Sequence, residues 1–176
     1  VAETVVDQDF ATLTHPLPLL RELNIVDTPG TNAVIRRHER LTNEFVPRSD
    51  LVLFVTSVDR PMTESERLFL ERLRAWGKKV VIVLNKTDLL DLGAEPGSEG
   101  PTGTAPQYQN QTELQQVVPF VLKHATEALG FTPLLFAVSA RLAQRANAAA
   151  SPDQAGRLRQ ASGIQALTNY IDETLD

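Results

Sequence analysis

Four short runs of almost unbroken apolar residues, 23–26 (LNIV), 51–55 (LVLFV), 80–84 (VVIVL) and 134–138 (LLFAV), alternate with longer segments whose apolar positions recur at helical spacing. Strands that are apolar on both faces, separated by helices, predict an α/β fold with a mostly parallel sheet covered on both sides. After the first run, Val34, His38, Leu41 and Phe45 share one helical stripe that Pro47 would close. Thr63 with Glu66 has the spacing of a capping box and opens a helix with Phe69, Leu70, Leu73 and Trp76 on its apolar face and Gly77 as its stop. Thr112 with Gln115 repeats that spacing ahead of Leu114, Val118, Val121, Leu122, Ala125 and Leu129. Pro119 either kinks this helix or marks a later start. Ser162 with Gln165 opens a last helix with Ile164, Leu167, Ile171 and Leu175 inward, and residues 10–15 alternate weakly as an edge strand.

Two stretches break the rhythm. Residues 91–111 hold four Gly and three Pro with Leu92 as their one large aliphatic side chain, too little apolar surface to bury, and read as a flexible loop insertion. Residues 141–161 are Ala-rich and interrupted at Ser151-Pro152, and read as a helical insertion on the outside of the domain. The length of 176 residues and 42% hydrophobic content suit one domain with one core. A net charge of −5, without a basic block, argues against nucleic acid as the main partner. The absence of Cys, with His15, His38 and His124 dispersed, excludes a disulfide framework and a thiolate metal site.

The chemistry sits at the ends of the apolar runs, where open parallel sheets bind ligands. Residues 23–26 lead into Asp27-Thr28-Pro29-Gly30. A carboxylate there suits a magnesium ion held through water, and Gly30 lets a backbone N–H approach a terminal phosphate. By itself such a segment is more often a plain turn than a phosphate site. Residues 80–84 lead into Asn85-Lys86-Thr87-Asp88. The Asp88 carboxylate can accept two parallel hydrogen bonds from guanine N1–H and N2–H₂, a donor pair that adenine lacks. Asn85 can reach the purine N7 and brace the neighbouring loops, while the Lys86 stem lies over the base. Asp27 and Asn85 are separated by room for two strand-helix units of roughly 30 residues each, so both loops open on one sheet edge. In third place, residues 134–138 end in Ser139-Ala140, whose turn offers a backbone N–H to guanine O6.

The ordered set DTPG, NKTD and SA resembles that of the translation-factor-related GTPases, and its flanks resemble dynamin-like proteins of the bacterial type. The flanking residues are Asp27-Thr-Pro-Gly-Thr-Asn32, Phe45-Val-Pro-Arg-Ser-Asp50 and Arg60-Pro-Met-Thr-Glu-Ser-Glu66. The resemblance is close over residues 10–90 and looser over 112–175. It implies a three-layer P-loop NTPase-type GTPase fold across residues 1–176, incomplete at its N-terminal side. It also implies GTP or GDP and magnesium as ligands, a partner G domain in a homodimer, and remodelling or tethering of membranes through regions outside this chain. The implied location is cytoplasmic, peripheral to a membrane. An Era-like ribosome-associated GTPase shares the three motifs and is the alternative enzyme.

The pattern lacks one part: no Gly-x-x-x-x-Gly-Lys-Ser/Thr occurs in these residues, so the amides and the Lys that cradle phosphates are missing. Either the chain is a fragment or split half of a G domain, inactive alone, or it is a P-loop-less scaffold. Thr31 stands after Gly30, where many small GTPases place a water-orienting Gln, so no general base is assigned. Gly30 would lie near the γ-phosphate, and Thr31 in a second switch running to Arg40.

Overall fold

A computed structural model of the chain describes residues 2–7, 10–16, 20, 23–28, 44–91 and 107–175. They fall into two compact units, one up to Ser49 and one from Asp50 to Thr174. In the first unit, strands β1 (Ala2–Asp7) and β2 (Phe10–Thr14) form an antiparallel hairpin. Its register shifts between Val5 and Asp7. The expected edge strand at residues 10–15 is therefore half of a hairpin.

Residues 23–28 correct the sequence reading: they form no strand, and Ile25 is 71% exposed. An apolar run becomes a buried parallel strand only where strands on both sides take its backbone bonds. Among the described residues, no strand pairing includes this stretch. Asp27 is exposed within it, and Gly30, Thr31 and the switch expected as far as Arg40 lie outside the described residues.

The second unit is built on a parallel sheet of β3 (Leu51–Ser57), β4 (Lys79–Asn85) and β5 (Leu134–Ala137), in that order. Val80 to Leu84 are all buried, as a central strand covered on both faces requires. Helix α1 (Glu64–Ala75) follows β3, and helix α2 (Gln107–Leu129) precedes β5. Leu70 and Leu73 of α1 and Val121, Ala125 and Leu129 of α2 are fully buried, and the rings of Phe54 and Phe69 stack at 6.2 Å to tie β3 to α1. The opposite face of the sheet carries Val83, Val138 and Phe136 against Leu167, Ile164 and Ile171 of α5 (Ile164–Leu175). Helix, sheet and helix thus make three layers. Between β5 and α5 lie α3 (Ala140–Asn147) and α4 (Pro152–Ser162), which pack on each other. The stretch 141–161 is accordingly two helices, joined across Ala148 to Ser151.

Helix α2 begins at Gln107, not at Thr112, and runs through Pro119. The last five residues of the expected 91–111 loop are thus helical, and Asp91 closes a 3₁₀ turn. The rest of that loop, residues 92–106, lies outside the described residues.

At the start of α1, Thr63 N–H donates to Glu66 Oε2 at 2.6 Å and Glu66 N–H to Thr63 Oγ1 at 3.4 Å, a closed capping box. Thr63→Ala is expected to destabilise the chain by about 1 kcal/mol in chemical denaturation, the usual effect of losing such a cap. On the exposed face of α1, the hydrogen bond from Arg67 holds the Glu64 carboxyl below its ordinary value. None of the described helices is long and apolar enough to cross a membrane.

Candidate guanine-reading site

The C-terminal ends of β3, β4 and β5 meet at one edge because the three strands are parallel and in register, with Ser57 opposite Asn85 and Leu84 opposite Ala137. Backbone bonds continue past the strands: Val58 N–H donates to Asn85 O at 3.1 Å, and Thr87 N–H to Val138 O at 3.2 Å. Three loops are thereby fastened side by side. They carry Asp59, Asn85 to Asp88, and Ser139 to Arg141.

The turn after β4 needs an unusual backbone. Lys86 has φ of 65°, in the left-handed region, which costs a non-glycine residue roughly 1–2 kcal/mol. In return, Lys86 N–H reaches Asn85 Oδ1 at 2.7 Å, and Leu89 N–H reaches Lys86 O at 2.9 Å in the 3₁₀ turn Thr87–Asp91. Asn85 Oδ1 also accepts the Ala140 N–H at 3.1 Å, so one amide oxygen ties the β4 loop to the start of α3. That bond qualifies the role expected for Ala140. Its N–H is already engaged and must be shared or released to meet a base oxygen.

Ser139 caps α3 and is fully buried. Its hydroxyl accepts from Leu142 N–H at 3.1 Å and donates to Asp88 Oδ1 at 2.5 Å. Its single donor and one of its two lone pairs are used, which fixes the rotor and with it the carboxylate. Asp88, with 10% of its side chain exposed, is held at the bottom of the edge. Its second oxygen lies 3.5 Å from a guanidinium nitrogen of Arg141. Lys86 Nζ lies 3.3 Å from Asp59 Oδ1.

The structure therefore brings five sequence-derived residues together: Asn85, Lys86, Asp88, Ser139 and Ala140. Two further residues, Asp59 and Arg141, were not singled out from the sequence. Asp59 had a signal, as a carboxylate just beyond the end of an apolar run. Arg141 had only its place after Ser139-Ala140. Nearby, the hydroxyls of Thr56 and Ser57 at the end of β3 are buried without a hydrogen-bond partner.

Magnesium keeps several waters and takes one or two carboxylates together with phosphates. Asp27, a single exposed carboxylate, fits that role only as a water-mediated ligand to a phosphate-bound ion. Among the described residues no three His, Asp or Glu side chains are gathered as a metal site by themselves.

Residues 2–87 match the model of the dynamin family. The chain is 42% identical over 132 residues to the probable transmembrane GTPase FZO-like, chloroplastic, of Arabidopsis thaliana, which covers 74% of this chain and 12% of that protein. It is 35% identical over 74 residues to dynamin-like protein 1 of Campylobacter jejuni, 41% of this chain and 10% of that one. A match at 39% over 71 residues to the tRNA modification GTPase MnmE of Geobacter sulfurreducens covers 38% of this chain and 15% of the relative. The chain thus spans a small part of each relative's length. Its parallel sheet, layered with helices, is consistent with the P-loop GTPase fold that the family match indicates. With that fold, the NKTD and SA loops at one sheet edge, a family match running from the hairpin through β4, and the FZO-like and dynamin-like relatives, the chain belongs to the dynamin-like GTPases, as G-domain sequence.

Proposed function

We propose that this chain supplies the guanine-reading part of a GTP-binding and GTP-hydrolysing domain, whose activity belongs to the full-length protein. The observation that carries the reading is the Asp88 carboxylate, nearly buried and held by Ser139 at 2.5 Å beside Asn85 and Lys86. A carboxylate so fixed accepts the N1–H and N2–H₂ donors of guanine, while adenine presents no such pair. Asn85 spends its oxygen on the two loops, which leaves its NH₂ for the purine N7. The Lys86 stem covers one face of the base.

Magnesium, bound when phosphates are present, would neutralise their charge, and Asp27 is the residue proposed to hold it through water. A homodimeric partner G domain and membrane remodelling or tethering are proposed from the resemblance of the motifs and their flanks to dynamin-like proteins. An Era-like role is the second reading, but the FZO-like match extends over 74% of the chain where the MnmE match covers 38%. Competition binding on the full-length protein tests the base assignment: GTP is expected to displace a labelled guanine nucleotide far better than ATP. Equal potency would remove the reading.

Asp59 enters as a positioning residue. Its ion pair with Lys86 is half-exposed and therefore weak, but it spans two loops and steadies the Lys86 stem. Asp59→Ala is expected to weaken GDP binding by about two- to fivefold, read by titration. Asp59→Glu, which keeps the charge, is expected to recover part of the loss.

A further inference from the structure

Asp88 has more donors around it than a guanine-reading carboxylate needs. Ser139 Oγ occupies Oδ1 at 2.5 Å, and Arg141 stands 3.5 Å from Oδ2. Lys86, a further cation on these loops, is turned to Asp59 at 3.3 Å. Arg141 is the charged donor recorded against the second oxygen of Asp88.

The chemistry of that donor is informative. The edge of guanine that meets a carboxylate runs from N1–H through C2 to N2–H₂, one carbon bearing two coplanar N–H donors. The Arg side chain ends in the same unit, carrying a positive charge. Arg141 thus offers Asp88 what the base would offer it. The surroundings of the two partners differ. Asp88 is 10% exposed and clamped by a buried serine, whereas 66% of the Arg141 side chain is exposed and its contact is a single long one. When the two separate, Arg141 keeps its water and Asp88 stays in place.

We propose that Arg141 is an internal competitor for guanine: it rests on Asp88 and is displaced by the incoming base. This rests on the guanine reading of Asp88. A competitor that sits on the reading carboxylate lowers the fraction ready to bind, and apparent affinity falls by that fraction. Arg141 then sets how readily this site takes up guanine nucleotide. The opposite role is also chemically definite, since a guanidinium lying flat on the base would strengthen binding.

The test uses the full-length protein with Arg141→Ala and Arg141→Gln, a fluorescent GDP analogue, and ADP as the control ligand. Both variants are expected to bind GDP about two- to fivefold more tightly than wild type, the range of an exposed ion pair. The gain should appear in the association rate, with melting temperature unchanged. In an Asp88→Asn background, the same substitution at 141 is expected to give no gain for a xanthosine nucleotide. Unchanged or weaker GDP binding by the variants, in a protein that prefers GDP over ADP, overturns the competitor role and leaves the guanine reading standing. A wild-type protein without that preference overturns both.

Discussion

Asp88→Asn is expected to lower the affinity of the full-length protein for guanine nucleotides by about 100-fold and to raise its affinity for xanthosine nucleotides. The reason is donor and acceptor matching. An Asn amide turned toward the base sets its NH₂ against guanine N2–H₂, donor against donor. Each buried donor left unpaired costs roughly 1–3 kcal/mol, so two of them account for about two orders of magnitude. Xanthine carries an oxygen where guanine carries N2–H₂, and the Asn NH₂ can donate to it. Ser139 Oγ, which lies 2.5 Å from the Asp88 carboxylate, can still donate to the Asn side-chain oxygen, so the fold is expected to be retained. Parallel titrations with GDP, XDP and ADP check this, with thermal melting as the control. Retained GDP preference in the variant would show that Asp88 does not read the base.

The largest expected effect on stability is at Gly163. It links α4 to α5 with φ of 65°, and a Cβ there would come within 2.4 Å of the Ala137 carbonyl oxygen. The neighbouring Ser162 carbonyl accepts the Ser139 N–H at 2.8 Å, so the turn cannot retreat without pulling on the loop that holds Asp88. Gly163→Ala combines a disfavoured backbone with a clash against fixed main chain, and is expected to destabilise the chain by roughly 2–4 kcal/mol. Two other glycines separate the contributions. Gly77 shares the φ of 65°, but a Cβ there would meet nothing within 4 Å, and Gly156 lies in the interior of α4 with open space around it. Gly77→Ala is expected to cost about 1 kcal/mol, and Gly156→Ala to stabilise by about 0.4–1 kcal/mol. Denaturant titration of the three variants gives the ordering. A Gly163→Ala chain as stable as wild type would mean that the turn moves freely.

The legible parts of the fold were those where local pattern and tertiary demand coincide. Residues 80–84 read as a buried strand because a central strand is apolar on both faces, and all five are buried. Thr63 and Glu66 read as a capping box because its two bonds span only three residues. Residues 23–26 have the same apolar character, yet a strand also requires neighbours to take its backbone bonds, and composition says nothing about those. The start of α2 was misplaced for a related reason. A Thr and a Gln three apart mark a helix start only if the chain before them is not already helical, and here the helix begins at Gln107.

At the candidate site, the sequence alone determined which chemical groups stand at the strand ends: an amide at 85, an ammonium at 86, a carboxylate at 88, a hydroxyl at 139. Those identities are written in the chain. Tertiary structure decided which groups meet. Ser139 and Asp88 are 51 positions apart, and Arg141 and Asp88 are 53 apart, so only the parallel register of β4 and β5 brings them within bonding distance. Hydrogen bonds and ion pairs act over a few ångströms, and that separation is a property of the packed sheet. This is why the carboxylate at 88 was visible from the start, while the arginine resting on it was not.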